Sequence, residues 1–320
     1  MDALVLDDVT KRFGERTAVD ALSFTVKAGE IFGFLGGNGA GKTTSLRMVL
    51  DILRPTSGRI AVLGCSPGRE NAADLGFMPE ERGLYRGMTA IDTVTYFGRL
   101  KGMSAAAARA RGHDLLERFG LADSAKTQID KLSKGMAQKV QLAATLVNSP
   151  KLLLLDEPFS GLDPVNQALL EDEILGAARS GATVIFSTHV MQHAERLCDR
   201  LLLLSQGRKV FEGTQAEARG RLPGRLAIVA RDTPMHCPGV DRADAGEADA
   251  DGWRTYDVTL SEGIDPADVL QCLTEQGVTL RRFEQHRVSL HEVFIHLVGN
   301  HPVSGHPIPG RPISEQEQAA

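Results

Sequence analysis

Gly36-Gly37-Asn38-Gly39-Ala40-Gly41-Lys42-Thr43-Thr44 is the stretch whose reading decides how the rest of the chain folds. It fits the pattern G-x-x-x-x-G-K-[ST], running from Gly36 to Thr43. Before it, Glu30-Ile-Phe-Gly-Phe-Leu35 reads as a short buried strand; after it, Thr44-Ser-Leu-Arg-Met-Val-Leu50 reads as the start of a helix. Glycines leave backbone N–H groups open to wrap a phosphate closely. The helix that follows adds free N-terminal N–H groups and the positive end of its dipole. In such a loop Lys42 reaches the β- and γ-phosphates and the Thr43 hydroxyl ligates Mg²⁺. The plainer reading, a glycine-rich turn with a chance lysine, does not account for the flanking strand and helix.

The chain has 320 residues, enough for one large domain and a smaller one, and 42% of them are hydrophobic, enough for a core. A net charge of −5 argues against a general nucleic-acid binder, which needs a basic surface. The cysteines, Cys65, Cys198, Cys237 and Cys272, are scattered without a C-x-x-C pair and read as reduced, cytosolic thiols. Met1-Asp-Ala-Leu-Val-Leu6 has no basic start and no long apolar stretch, so no signal peptide is expected. The longest apolar runs, Leu152–Leu155 and Leu201–Leu204, are strand-sized, whereas a membrane span needs about 20 residues. A soluble chain is expected, with any membrane role coming through a partner.

Working outward from the loop, residues 3–6 and 21–26 alternate as strands around the turn Lys11–Gly14. Strands are expected at 58–63 and 75–79, the latter running into Glu80. Thr89 to about Ala125 is helical in pattern, and a further helix is expected from Ala137 to Val147. Leu152-Leu-Leu-Leu-Asp156-Glu157 is a continuous apolar strand ending in two acids, which suits a central parallel strand covered on both faces. A helix over 165–179 and a strand over 183–187 follow, then a helix over 191–198 and a strand over 200–204. Residues 216–224 read as a linker. Beyond it, strands at 225–230, 253–260 and 278–283 and helices at 266–276 and 289–298 make a small α+β domain. The acidic run 241–251 offers nothing apolar to bury and reads as a solvated loop. Residues 299–320, with several Pro and Gly, read as a disordered tail.

Asp156 at a strand end is what a P-loop enzyme needs to hold Mg²⁺, because its carboxylate is a hard oxygen ligand. Glu157 beside it would polarise the attacking water. His189 ends a strand expected to neighbour that of Asp156, within reach of a γ-phosphate. A lone histidine at a strand end is more often a surface residue.

Taken in order, these segments resemble the nucleotide-binding subunit of an ATP-binding cassette (ABC) transporter over residues 1 to about 215. Gly36–Thr44 resembles its Walker A, and Leu152–Pro158 its Walker B with the catalytic Glu157. Leu132-Ser133-Lys134-Gly135-Met136 resembles the signature loop, Ser160–Asp163 the D-loop and Ser187-Thr188-His189 the H-loop. Phe13 matches the aromatic that stacks on adenine, a contact worth about 1–3 kcal/mol. Pro79–Tyr85 and Leu132–Met136, with the C-terminal α+β extension, look closest to bacterial subunits paired with separate ABC-2-type export permeases.

The resemblance implies an α/β fold: a P-loop ABC cassette with a mixed sheet core, an antiparallel β subdomain and a helical subdomain at about 85–150. It implies ATP and Mg²⁺ as ligands. The nucleotide is contacted by Phe13, Gly36, Asn38, Gly39, Ala40, Gly41, Lys42, Thr43 and Thr44, and across a dimer by Ser133, Lys134, Gly135 and Asp163. The metal falls to Thr43, Asp156 and Glu80, and catalysis to Glu157 and His189. Implied partners are integral membrane permease subunits and a second copy in the ATP-bound state, with no nucleic acid, at the cytoplasmic side of the membrane. The chain departs from the family at Gly37, where Pro is usual, at Lys134 and Met136 in the signature, and at Glu80, where the Q-loop Gln is usual. The competing class is a soluble ABC ATPase switching on nucleic acid or ribosomes. Those relatives carry two cassettes or a long coiled-coil insert, and this chain has neither. The C-terminal domain reads as a packing appendage, a regulatory module or a dimer contact, and His286, His291 and His296 as surface or core residues rather than a metal site.

Overall fold

The N-terminal alternation becomes a long hairpin. β1 (Asp2–Phe13) and β2 (Arg16–Lys27) pair antiparallel, with Phe13 opposite Arg16 across a tight turn. The computed structural model describes residues 1–81, 83–231, 237–261 and 263–299, and the chain divides into two compact units, Met1–Gln215 and one beginning at Ala216. In the first unit the hairpin is followed by β3 (Ile31–Gly36), α1 (Lys42–Val49), β4 (Ser57–Val62) and β5 (Leu75–Met78). Three helices come next: α2 (Ala90–Leu100), α3 (Ala105–Arg118) and α4 (Lys134–Leu146). The unit closes with β6 (Leu152–Asp156), α5 (Pro164–Arg179), β7 (Thr183–Thr188), α6 (Met191–Leu197), β8 (Arg200–Ser205) and β9 (Arg208–Thr214).

The strands form two sheets. One is antiparallel, β2-β1-β4; the other has the order β5-β6-β7-β3-β8-β9, parallel except for β9. β3, β6 and β7 are buried at every position, as continuous apolar runs in a sheet covered on both faces should be. The two sheets share a core in which Leu4, Leu6 and Phe24 meet Phe32, Phe34 and Leu204, with Phe24 stacked on Phe32 at 5.6 Å. Leu46 and Met48 of α1 join that core, so the helix leaving the glycine loop is fixed by apolar burial.

The helical stretch from Thr89 is two helices. Lys101-Gly102-Met103 breaks it, with Gly102 at φ 89°, and Ser104 caps α3 by accepting from the Ala107 N–H at 3.2 Å. α4 begins earlier than its apolar pattern, at Lys134, because Ser133 caps it by accepting from the Met136 N–H.

In the second unit, α7 (Gln215–Arg219) occupies part of the stretch read as a linker. Its five residues are too short for periodicity to reveal. Then come β10 (Arg225–Ala230), β11 (Val240–Ala248), β12 (Arg254–Leu260), α8 (Pro266–Glu275), β13 (Leu280–His286) and α9 (Leu290–Gly299). The sheet is antiparallel in the order β11-β12-β10-β13, over a core that includes Leu226, Ile228, Tyr256, Val258, Val269 and Leu273. Residues 241–251 are therefore not simply a loop. An edge strand needs only backbone pairing on one side, and β11 is almost wholly exposed, so it carries no apolar signal. The expectation of four reduced thiols fails at Cys237 and Cys272, which form a disulfide across 35 residues; Cys65 and Cys198 are free. Packing of α8 on the sheet core brings the pair together, and spacing in sequence could not reveal it. The expected disordered tail lies, apart from Gly299, outside the described residues. Among the described residues no helix is long and apolar enough to cross a membrane.

Candidate active site

The glycine loop leaves β3 and enters α1 through left-handed backbone at Gly39 (φ 77°) and Gly41 (φ 106°). A Cβ on Gly41 would stand 2.6 Å from the Ala18 carbonyl oxygen, and one on Gly36 would strike that of Leu204. The loop lies so close to neighbouring strands that side chains cannot enter. Gly37 has open space, and its carbonyl still accepts from the Ala40 N–H at 3.2 Å, so the missing proline leaves the turn intact. Lys42 is 6% exposed and donates to the carbonyls of Gly36 (2.7 Å) and Gly37 (3.3 Å).

The carboxylates sit opposite. Asp156 ends β6 beside Ser187 of β7, and the Ser187 hydroxyl donates to its Oδ1. Asp156 is 2% exposed and Glu157 8%. Glu157 lies in left-handed backbone (φ 48°), a strain of about 1–3 kcal/mol for a residue with a side chain. Its N–H donates to the carbonyl of Ser187 (3.2 Å) and to its hydroxyl (3.1 Å). Its Oε1 stands 3.3 Å from Lys42 Nζ, off the direction of a hydrogen bond, and its Oε2 stands 3.0 Å from His189 Nδ1. The expectation that the His189 strand neighbours that of Asp156 holds, and the histidine ring is half exposed beyond the strand end.

A cleft of about 520 Å³ joins the glycine loop to Glu157, while Asp156 and His189 do not line it. Phe13, Asn38, Gly39, Ala40, Gly41, Lys42, Thr43, Thr44, Glu80 and Glu157 line it. Phe13 is 48% exposed at the end of the hairpin, with Lys11 Nζ 5.1 Å from its ring centre. Gly36 supports the loop from β3. Glu80 follows β5 and reaches both this cleft and the one beside α4.

Ser133, Lys134 and Gly135 do not line the nucleotide cleft, nor does Asp163. Ser133 and Lys134 are exposed at the start of α4, with the Lys134 side chain over Gly161. Asp163 caps α5, accepting from the Asn166 N–H (3.0 Å) and side-chain amide (2.6 Å), and the backbone hydrogen bond from Asn166 leads in holding its carboxyl below the usual range.

Three features escaped the sequence. Arg16 lines the cleft because the hairpin turn folds it back beside Phe13. Ser187 bridges the two acids. Gln138 and Gln141 donate from α4 to the carbonyls of Pro158 (2.6 Å) and Pro79 (3.0 Å). Two glutamines among the apolar residues of this helix were a legible signal, since buried polar groups need partners.

The family model for ABC transporters matches residues 19–160, and that for the C-terminal domain of DrrA1-3-like ATP-binding proteins matches residues 229–298. The chain is 43% identical over 209 residues to the Nod factor export ATP-binding protein I of Burkholderia lata, covering 64% of this chain and 69% of that one. It is 38% identical over 234 residues to the daunorubicin resistance ATP-binding protein DrrA3 of Streptomyces coeruleorubidus, covering 72% and 74%. A solved ATP-binding subunit of an ABC transporter superposes with a TM-score of 0.64 at 28% identity, covering 68% of this chain and 92% of that one. The chain belongs to the ATP-binding proteins of ABC transporters. As in that family, it is an ATPase.

Proposed function

We propose that two copies of this chain close over two ATP molecules and drive a separate membrane permease in export, from the cytoplasmic face of the membrane. One observation carries this reading. The signature residues Ser133 and Lys134 are exposed and neither lines the cleft that holds Lys42, Lys134 sharing with Glu157 only the second cleft beside α4, so the chain offers each half of a site to a different neighbour. The export-type names among its relatives support the direction.

In this reading Phe13 stacks on the base, the loop N–H groups and Lys42 hold the phosphates, and Ser133 with Gly135 of the second copy covers the γ-phosphate. Glu157 accepts the proton of the attacking water. His189, 3.0 Å from its Oε2, holds that carboxylate in place and reaches for the γ-phosphate. The donor set fits Mg²⁺, being hydroxyl and carboxylate oxygen only: Thr43, Asp156 and Glu80 would hold it. Bound there, Mg²⁺ offsets negative charge on the phosphate oxygens. Hydrolysis removes the bridge between the copies and they separate.

Purification of the full chain from native membranes tests this. A co-purifying polytopic membrane protein whose presence alters the ATPase rate is the expected result. Recovery with RNA or ribosomes would overturn it in favour of a soluble switch.

A further inference from the structure

Three side chains on one face of α4, Gln138, Gln141 and Thr145, are buried: the two glutamines donate to backbone carbonyls outside the helix, those of Pro158 (2.6 Å) and Pro79 (3.0 Å), and the Thr145 hydroxyl donates to the Gln141 carbonyl within it (2.8 Å), with the Phe77 carbonyl at 3.3 Å. Spacings of three and four residues put them in one row. The first matters most. Pro158 directly follows Glu157 and is itself buried. Proline has no N–H, so its carbonyl is the only backbone group by which residue 158 can be held. Glu157 before it is in left-handed backbone, a conformation that persists only when the surroundings impose it. Those surroundings are few and named. Ser187 takes the Glu157 N–H, and the Ser160 N–H closes a turn on the Glu157 carbonyl at 3.1 Å. Phe159 is wedged between Phe186 (6.0 Å, edge to face) and His193 (4.1 Å, stacked). Gln138 supplies the anchor from α4, the helix that Ser133 caps one turn earlier.

Resting on the assignment of Glu157 above, we infer that Gln138 is a positioning residue: its hydrogen bond to the Pro158 carbonyl sets the Glu157 carboxylate and ties it to the signature helix of the same chain. A buried donor of this kind acts on the rate and not on the phosphate cradle, because it touches neither Lys42 nor the loop N–H groups. A misplacement of about 1 Å is enough to cost on the order of 100-fold in rate.

The test is steady-state MgATP hydrolysis and nucleotide titration on the full chain. Gln138→Met keeps the shape and removes the donor. Gln138→Glu keeps a polar group and sets an acceptor against an acceptor at neutral pH. Both should lose at least about tenfold in kcat with KM and MgATP affinity changed less than about twofold. Thr145→Val removes another buried donor of the same helix and controls for stability: it should melt as low as Gln138→Met yet keep kcat. A Gln138→Met chain with wild-type kcat, or one that loses kcat and affinity in proportion, overturns the inference. So does a Thr145→Val chain as slow as Gln138→Met. Glu157→Gln run in parallel separates the two readings. If it is inactive while Gln138→Met is normal, only this inference falls; if it turns over normally, the assignment of Glu157 falls with it.

Discussion

The two sets of residues that the proposed site would combine are built in opposite ways. The loop half is enclosed: Lys42, Asp156 and Glu157 are each less than a tenth exposed, and each is held by backbone or hydroxyl groups of neighbouring strands. The signature half is open: Ser133 and Lys134 stand at the surface at the start of α4. Buried charge is costly unless partnered, so the loop half carries its partners within the chain. The signature half is fixed by its Ser133 cap, and its Ser133 and Lys134 side chains remain exposed to a second surface. In the proposed reading, the difference separates what the chain does alone, binding nucleotide, from what needs a neighbour.

Five experiments would break or sharpen this contrast, the first with the largest effect. Glu157→Gln removes the proton acceptor from the enclosed half and should cut kcat by about 10²–10⁴-fold while ATP still binds. Sizing chromatography should then find a MgATP-dependent dimer; normal turnover would end the assignment. Lys42→Ala fails earlier, at binding. Loss of a charge-assisted contact of about 2–3 kcal/mol should weaken nucleotide affinity on the order of 100-fold in a fluorescent-nucleotide titration.

Ser133→Arg probes the open half. Alone it should hydrolyse slowly; mixed with Lys42→Ala chains, it should regain part of its activity, because each mixed dimer keeps at most one intact composite site. No recovery on mixing would mean that the two halves meet within one chain.

Glu80 sits between the halves, and its effect is smaller. Its carboxylate is a stronger ligand for a hard cation than the usual amide, yet its charge opposes the triphosphate. Glu80→Gln should raise the Mg²⁺ concentration for half-maximal activity a few-fold on the order of ligand-charge effects, with kcat largely kept. Glu80→Ala should lose more, and identical magnesium curves for it and wild type would leave Glu80 no role at the metal.

The smallest effect lies behind Glu157. His193 is 8% exposed, stacked on Phe159, and burial leads in lowering its pKa from 6.5, against the pull of Glu171 and Glu157 and with the push of Arg196. The unfolded chain therefore takes the proton first. His193 contributes stability above about pH 6.5 that is lost as pH falls through its folded pKa. His193→Phe keeps the stack and should flatten the fall in Tm between about pH 7 and 5 by a degree or two; an unchanged slope would exclude it.

What the sequence by itself determined is the local chemistry. A glycine loop between a strand and a helix, an apolar run ending in Asp156-Glu157 and the order of the segments are short-range patterns, and each works within a few residues of itself. Only tertiary structure decided the rest. Gln138 meets Pro158 across 20 residues, and Arg16 and Phe13 reach the glycine loop from another sheet. Cys237 finds Cys272 through packing of α8. β11 forms along the edge that β12 offers and adds only Val240 and Ala243, partly buried, to the core. Periodicity reports which face of an element is apolar; it carries no record of which element that face will meet.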